Sequence, residues 1–72
     1  MKSKEEELIE RLIGENEEFR NAKDTHSQLA RQLDEMERKP YLTPQDEMEI
    51  KILKKKKLFY KDQIEKIMMK YR

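Results

Sequence analysis

At 72 residues the chain makes one small domain, able to bury only about 60% of the surface its unfolded form exposes, so a thin core is expected. There is no cysteine, which excludes a disulfide framework, a thiolate metal site and a cysteine nucleophile. Formal net charge is +1, but residues 1–39 hold 8 Lys/Arg against 11 Asp/Glu and residues 40–72 hold 9 against 5, so the two halves attract each other modestly.

Charged residues are 46% of the chain and hydrophobic residues 35%, a balance that leans toward disorder. The apolar residues are nevertheless phased along helices, and with one Gly and two Pro among many Lys, Glu, Leu, Met and Gln the sequence favours helix throughout. Met1 to Glu7 has no apolar core and no run of about 18 apolar residues occurs, so neither a secretory signal nor a membrane span is expected, and the chain reads as cytoplasmic.

Met1 to Lys4 are expected to fray. Glu5 onward reads as helix, with Glu5, Glu6 and Glu7 where negative charge suits the positive end of the helix dipole. Leu8, Ile9, Leu12 and Ile13 form an apolar patch on this first segment. Gly14 costs about 1 kcal/mol relative to alanine inside a helix, and Asn16 is a good N-cap followed by Glu17 and Glu18. Two readings follow: one helix from about Lys4 to Arg38, or a short helix set off by a bend at Gly14–Asn16 and a second starting at Glu17.

Phe19, Ala22, His26, Leu29, Leu33 and Met36 then form an apolar seam containing one imidazole. Arg38 and Lys39 suit a helix C-terminus, and Pro40 disfavours helix at the residue before it. After a turn at 39–43, Thr43-Pro44-Gln45-Asp46 reads as an N-cap, a proline at the first helical position and an acid at the third. The last helix is expected from Pro44 to about Tyr71, with Ile50, Leu53, Lys57, Tyr60, Ile64, Ile67 and Tyr71 as its seam.

A short turn makes the two long helices antiparallel neighbours. Leu33 with Ile50, Leu29 with Leu53, His26 with Lys57, Ala22 with Tyr60, Phe19 with Ile64, Glu15 with Ile67 and Leu12 with Tyr71 share one register, their residue numbers summing to 82 or 83. The expected fold class is all-α: a single coiled-coil-like antiparallel helical hairpin over 1–72, its helices at about 5–38 and 44–71.

Leu8-Ile9, Arg11-Leu12, Glu15-Asn16, Phe19, His26, Leu29 and Leu33, followed by Leu53-Lys54, Lys57-Leu58, Lys61-Asp62 and Ile64, resemble the YdcH family of small bacterial proteins, a domain family of unknown function. The resemblance covers nearly the whole chain. Members often have proline where Glu17 stands here, and that departure leaves the break near Asn16 open. The resemblance implies a helical hairpin in a bacterial cytoplasm and brings no activity, substrate or site with it.

His26 and Lys57 fall opposite each other, a polar layer expected to set register at some cost in stability. A metal ligand or general base at His26 would want carboxylates or a second histidine one turn away, where Ala22, Lys23, Leu29 and Ala30 stand. The glutamates of the first half read as a solvated face, and a two-helix unit offers no substrate pocket. No catalytic residue, metal ligand or cofactor is expected, and the chain is not read as an enzyme.

Lys51, Lys54, Lys55, Lys56, Lys57 and Lys61 run without an intervening acid, and such a basic patch could bind phosphates with salt-dependent affinity. The stripe goes round the helix, however, and no arginine fork accompanies it to read bases. Met48, Ile52, Leu58, Phe59, Met68 and Met69 lie off the seam and suggest a second packing surface. Ile9, Ile13, Met48, Ile52, Phe59 and Met68 are therefore the expected oligomer interface. The function expected is a small self-associating interaction or structural module, with a dimer as the favoured assembly and an unidentified protein as a further partner. The rival is a basic hairpin that binds nucleic acid or an acidic partner. No membrane contact is expected.

Overall fold

The computed structural model describes all 72 residues and holds three helices with no strand: α1 (Lys4–Glu15), α2 (Glu17–Glu37) and α3 (Pro44–Met69). α2 and α3 run side by side as an antiparallel hairpin. Local chemistry sets each start. Ser3 Oγ accepts from the Glu6 N–H at 3.1 Å, which begins α1 one residue earlier than its glutamates suggest. At α3 the Asp46 N–H donates to Thr43 Oγ1 at 3.0 Å and the Thr43 N–H donates back to Asp46 Oδ2 at 3.1 Å, with Pro44 in the first turn. Lys39 Nζ reaches the same carboxylate at 3.2 Å across the turn. The Thr43 backbone N–H and then Lys39 hold the Asp46 carboxyl below its ordinary value of 3.8.

The first helical stretch is broken, and the break is made by Asn16. Its backbone is extended (φ −120°, ψ 106°), its N–H closes α1 on Leu12 O at 2.8 Å, and its Oδ1 caps α2 by accepting from the Phe19 N–H at 2.9 Å. Arg20 Nη1 adds a donor to the Ile13 carbonyl at 3.0 Å, satisfying another free group at the end of α1. Gly14 lies inside α1 without a positive φ, so the glycine is not the hinge. A continuous helix from Lys4 to Arg38 would measure roughly 52 Å. The longest dimension of the whole molecule is 43 Å, because α1 turns aside.

Only nine residues are buried, and eight of them form two separate clusters. Near the turn, Leu29, Leu33, Ile50 and Leu53 pack together with Met36 and Tyr60 at their margin. At the far end Leu12 of α1 joins Phe19, Ile67 and Met68, with Leu8, Ile9 and Ile64 against them.

That second cluster corrects the sequence register. Leu12 was expected opposite Tyr71 and Glu15 opposite Ile67, but Leu12 packs with Ile67 and Met68 while Glu15 is exposed. Tyr71 lies beyond the end of α3, where the Arg11 guanidinium stands 5.8 Å from its ring centroid and Asn16 Nδ2 donates to its hydroxyl at 3.5 Å. Met68, expected on an outer surface, is 2% exposed. The reason is where the elements end: α3 stops at Met69, short of Tyr71, and the break at Asn16 brings Leu12 onto the last turns of a helix with 3.6 residues in each. Met68 is five such turns beyond Ile50 and shares its side of α3.

A Cβ added at Gly14 would meet nothing within 4 Å. Gly14→Ala should therefore stabilise the protein by about 0.5–1 kcal/mol, a rise of several degrees in Tm, whereas Asn16→Ala should lower stability by about 1 kcal/mol. Thermal unfolding followed by circular dichroism checks both. A lower Tm for Gly14→Ala would mean that the glycine takes part in the bend.

Candidate interaction surfaces

α3 packs one side against α2 and leaves an apolar set on the other. Met48 is 64% exposed, Ile52 47%, Phe59 56% and Met69 67%. The spacing of four and seven residues places Met48, Ile52 and Phe59 along one line of the helix surface. The Phe59 ring makes a T-shaped contact with Tyr60, with centroids 5.2 Å apart and planes at 88°, and it also borders the groove lined by Thr25 and Leu29 of α2.

The remaining expected interface residues separate. Ile13 is exposed on α1, Ile9 is half-buried against the far cluster, and Met68 is unavailable because it belongs to that cluster. Met69 takes the exposed place at this end of α3. A spacing of alternating fours and threes from Met48 through Ile52, Lys55, Phe59, Asp62 and Lys66 to Met69 was the signal that could have found it.

The six lysines are not equivalent. None is in an ion pair; the pairs present are Lys2 with Glu10, Arg11 with Glu15, Lys39 with Asp46, and Arg72 with Glu5 and Glu65. Lys54, Lys57 and Lys61 line one groove beside the α2–α3 contact, together with His26, Leu33 and Leu58. Lys55 and Lys56 line a different groove with Thr25, Leu29, Phe59 and Tyr60. Lys51 is exposed and lines neither.

His26 and Lys57 are both half-buried on the lysine groove. Burial, and then the ammonium groups of Lys57, Lys23 and Lys61, hold the imidazole below its ordinary pKa of 6.5. No group of three or more His, Cys, Asp or Glu side chains is gathered where it could hold a metal ion. No helix is long and apolar enough to cross a membrane.

A family model described as "Protein of unknown function (DUF465)" matches residues 19–68, well over half of the chain. The chain belongs to the DUF465 family. The matched region runs from Phe19 of α2 to Met68 of α3 and so contains the hairpin, both grooves and most of the exposed α3 face, while α1 lies outside it. The match is to a domain of unknown function and carries no catalytic residues over to this DUF465 chain. No curated protein and no solved structure matches it.

The histidine supplies a signed prediction. Because its folded pKa is lowered, its contribution to stability is fully present above the unfolded value of about 6.5 and is lost as pH falls through the folded value. Replacing both His26 and Lys57 with leucine should remove that step and raise Tm, since a half-buried polar layer gives way to apolar packing. Urea unfolding between pH 8 and pH 4.5 measures it. A double variant that melts lower than the parent and keeps the same pH dependence would show that the layer is not the source.

Proposed function

We propose that this DUF465 hairpin is a self-associating interaction module of the cytoplasm, without catalytic activity, whose functional contact is the outer face of α3 against the same face of a second copy. The observation that carries the reading is the line of exposed Met48, Ile52, Phe59 and Met69 on a helix whose other side already serves the core.

Antiparallel pairing of α3 with its copy about Phe59 satisfies each position of that line. Phe59 meets Phe59, Met48 meets Met69, and Ile52 lies along the aliphatic stem of Lys66, the residue numbers summing to 117 or 118. The same register sets Lys55 of each copy against Asp62 of the other. Both are exposed, and neither has an ion-pair partner in its own chain. Charge as well as shape is thus complementary under a two-fold axis, and the result is a six-helix assembly with the two α3 helices at its centre.

A face about 32 Å long and 10 Å wide is small beside a standard interface of about 800 Å² per partner, so a micromolar dimer is expected. Sedimentation equilibrium from 1 to 200 µM tests it. Phe59→Asp should weaken association at least about tenfold, because it places two carboxylates where two rings would be buried. Lys55→Asp and Asp62→Lys should each weaken it several-fold, and the two together should restore it. A parent that stays monomeric with full helicity throughout, or a double exchange no better than the single ones, would sink the proposal.

A further inference from the structure

The exposed α3 face leaves the lysine groove unexplained. Its lining cations, Lys54, Lys57 and Lys61, all come from α3, and Lys23 of α2 stands close enough to His26 to act on its charge. Lys54, Lys57 and Lys61 are spaced by three and four residues, so like charges stand one turn apart and repel. No carboxylate lines the groove and no ion pair involves these lysines. Glu65 lies one turn beyond Lys61 but is paired with Arg72, and neither it nor Asp24 or Asp34 lines the groove. The charge is uncompensated from within.

We propose that the groove between α2 and α3 lined by His26, Lys54, Lys57 and Lys61 binds a flexible anion of the polyphosphate class. The three α3 lysines span roughly 10 Å along the helix, which suits a chain of charges rather than a single one. Lysine is a compact point charge that contacts phosphate oxygens without fixed directionality, and no arginine lines the groove to impose a planar fork. Its apolar parts are Leu33 and Leu58, while the aromatic pair that could stack on bases, Phe59 and Tyr60, lines the other groove. A phosphate chain without bases therefore uses all that the groove offers, and a single-stranded nucleic acid would leave its bases unread. The site is independent of the α3 pairing, in which Lys54 and Lys61 take no part.

Bound phosphates would offset the lysine charge around the imidazole, so the His26 pKa should rise on binding. The groups facing it are Lys23 on its own helix and Lys57 and Lys61 on α3, with Lys54 in the same groove. His26 is the only histidine, so one ring resonance reports the site.

The test titrates medium-chain inorganic polyphosphate into the full chain, followed by calorimetry and by the His26 resonance over a range of pH. Affinity should fall about 20–40-fold between 50 and 200 mM salt, as expected for about three lysine contacts. Lys54→Gln/Lys61→Gln should weaken binding at least tenfold. Lys51→Gln/Lys56→Gln, which removes the same charge from outside the groove, should weaken it less than threefold. The His26 readout needs no variant and holds even if the groove double variant folds poorly. Equal losses from the two double variants, an unmoved His26 pKa at saturation, or no binding at low salt would each overturn the proposal. Tighter binding of a single-stranded RNA of equal charge would replace it with a nucleic-acid site.

Discussion

Leu12 and Phe19 are the two large side chains completely removed from water, and they stand on opposite sides of the single extended residue that separates α1 from α2. Their burial with Ile67 and Met68 is the contact on which the far end of the molecule depends. In a continuous helix, α1 would carry Leu12 past the last turn of α3 into solvent. With the bend, the Leu8 and Ile9 patch has a surface to cover, and the end of α3 gains a lid. Asn16 makes this affordable in hydrogen bonds, because its backbone closes one helix while its side chain opens the next.

The polar contacts around that lid follow from its position. Tyr71, just past α3, receives the Arg11 guanidinium over its ring and the Asn16 amide at its hydroxyl, and Arg72 pairs with Glu5 near the start of α1. These contacts are exposed, and such pairs typically contribute little each. They orient a lid whose energy comes from burying its Leu12 with Phe19, Ile67 and Met68.

Between the two clusters fewer side chains are fully buried. Ala22 is buried there without joining either cluster, and His26, Lys57 and Tyr60 are half-buried. A wider apolar seam would have made this stretch a plain core. Instead the polar middle opens to flanking grooves, and the lysines of α3 are drawn toward one or the other according to which side of α2 they pass. The division of the core and the division of the basic stripe have one cause. Both follow from a two-helix contact too narrow to cover more than a strip of each helix.

The hairpin itself was legible in the sequence because its signals are local. Proline at 40 and 44, the Thr43 and Asp46 pair, and the alternation of three and four along α2 and the first half of α3 each act over one or two turns. The helix dipole, the cap and the apolar period depend on nothing farther away. What failed was extrapolation. Seven-residue counting carried the seam to Tyr71, past the end of α3 at Met69, and passed over Met68, and whether Asn16 breaks the helix could not be chosen from residues 14–18, since Gly14 stays helical and the choice rests on Leu12 meeting α3 from across the fold. The basic stripe read as one feature, but only the position of α2 determines that Lys54, Lys57 and Lys61 share a groove with His26 while Lys55 and Lys56 do not. Sequence alone determined the two long helices of the hairpin, their order and their antiparallel pairing. Tertiary structure decided the bend, the inner and outer sides of the last turns, and which charges stand together, because each is fixed by where a second helix lies and not by the residues that precede or follow.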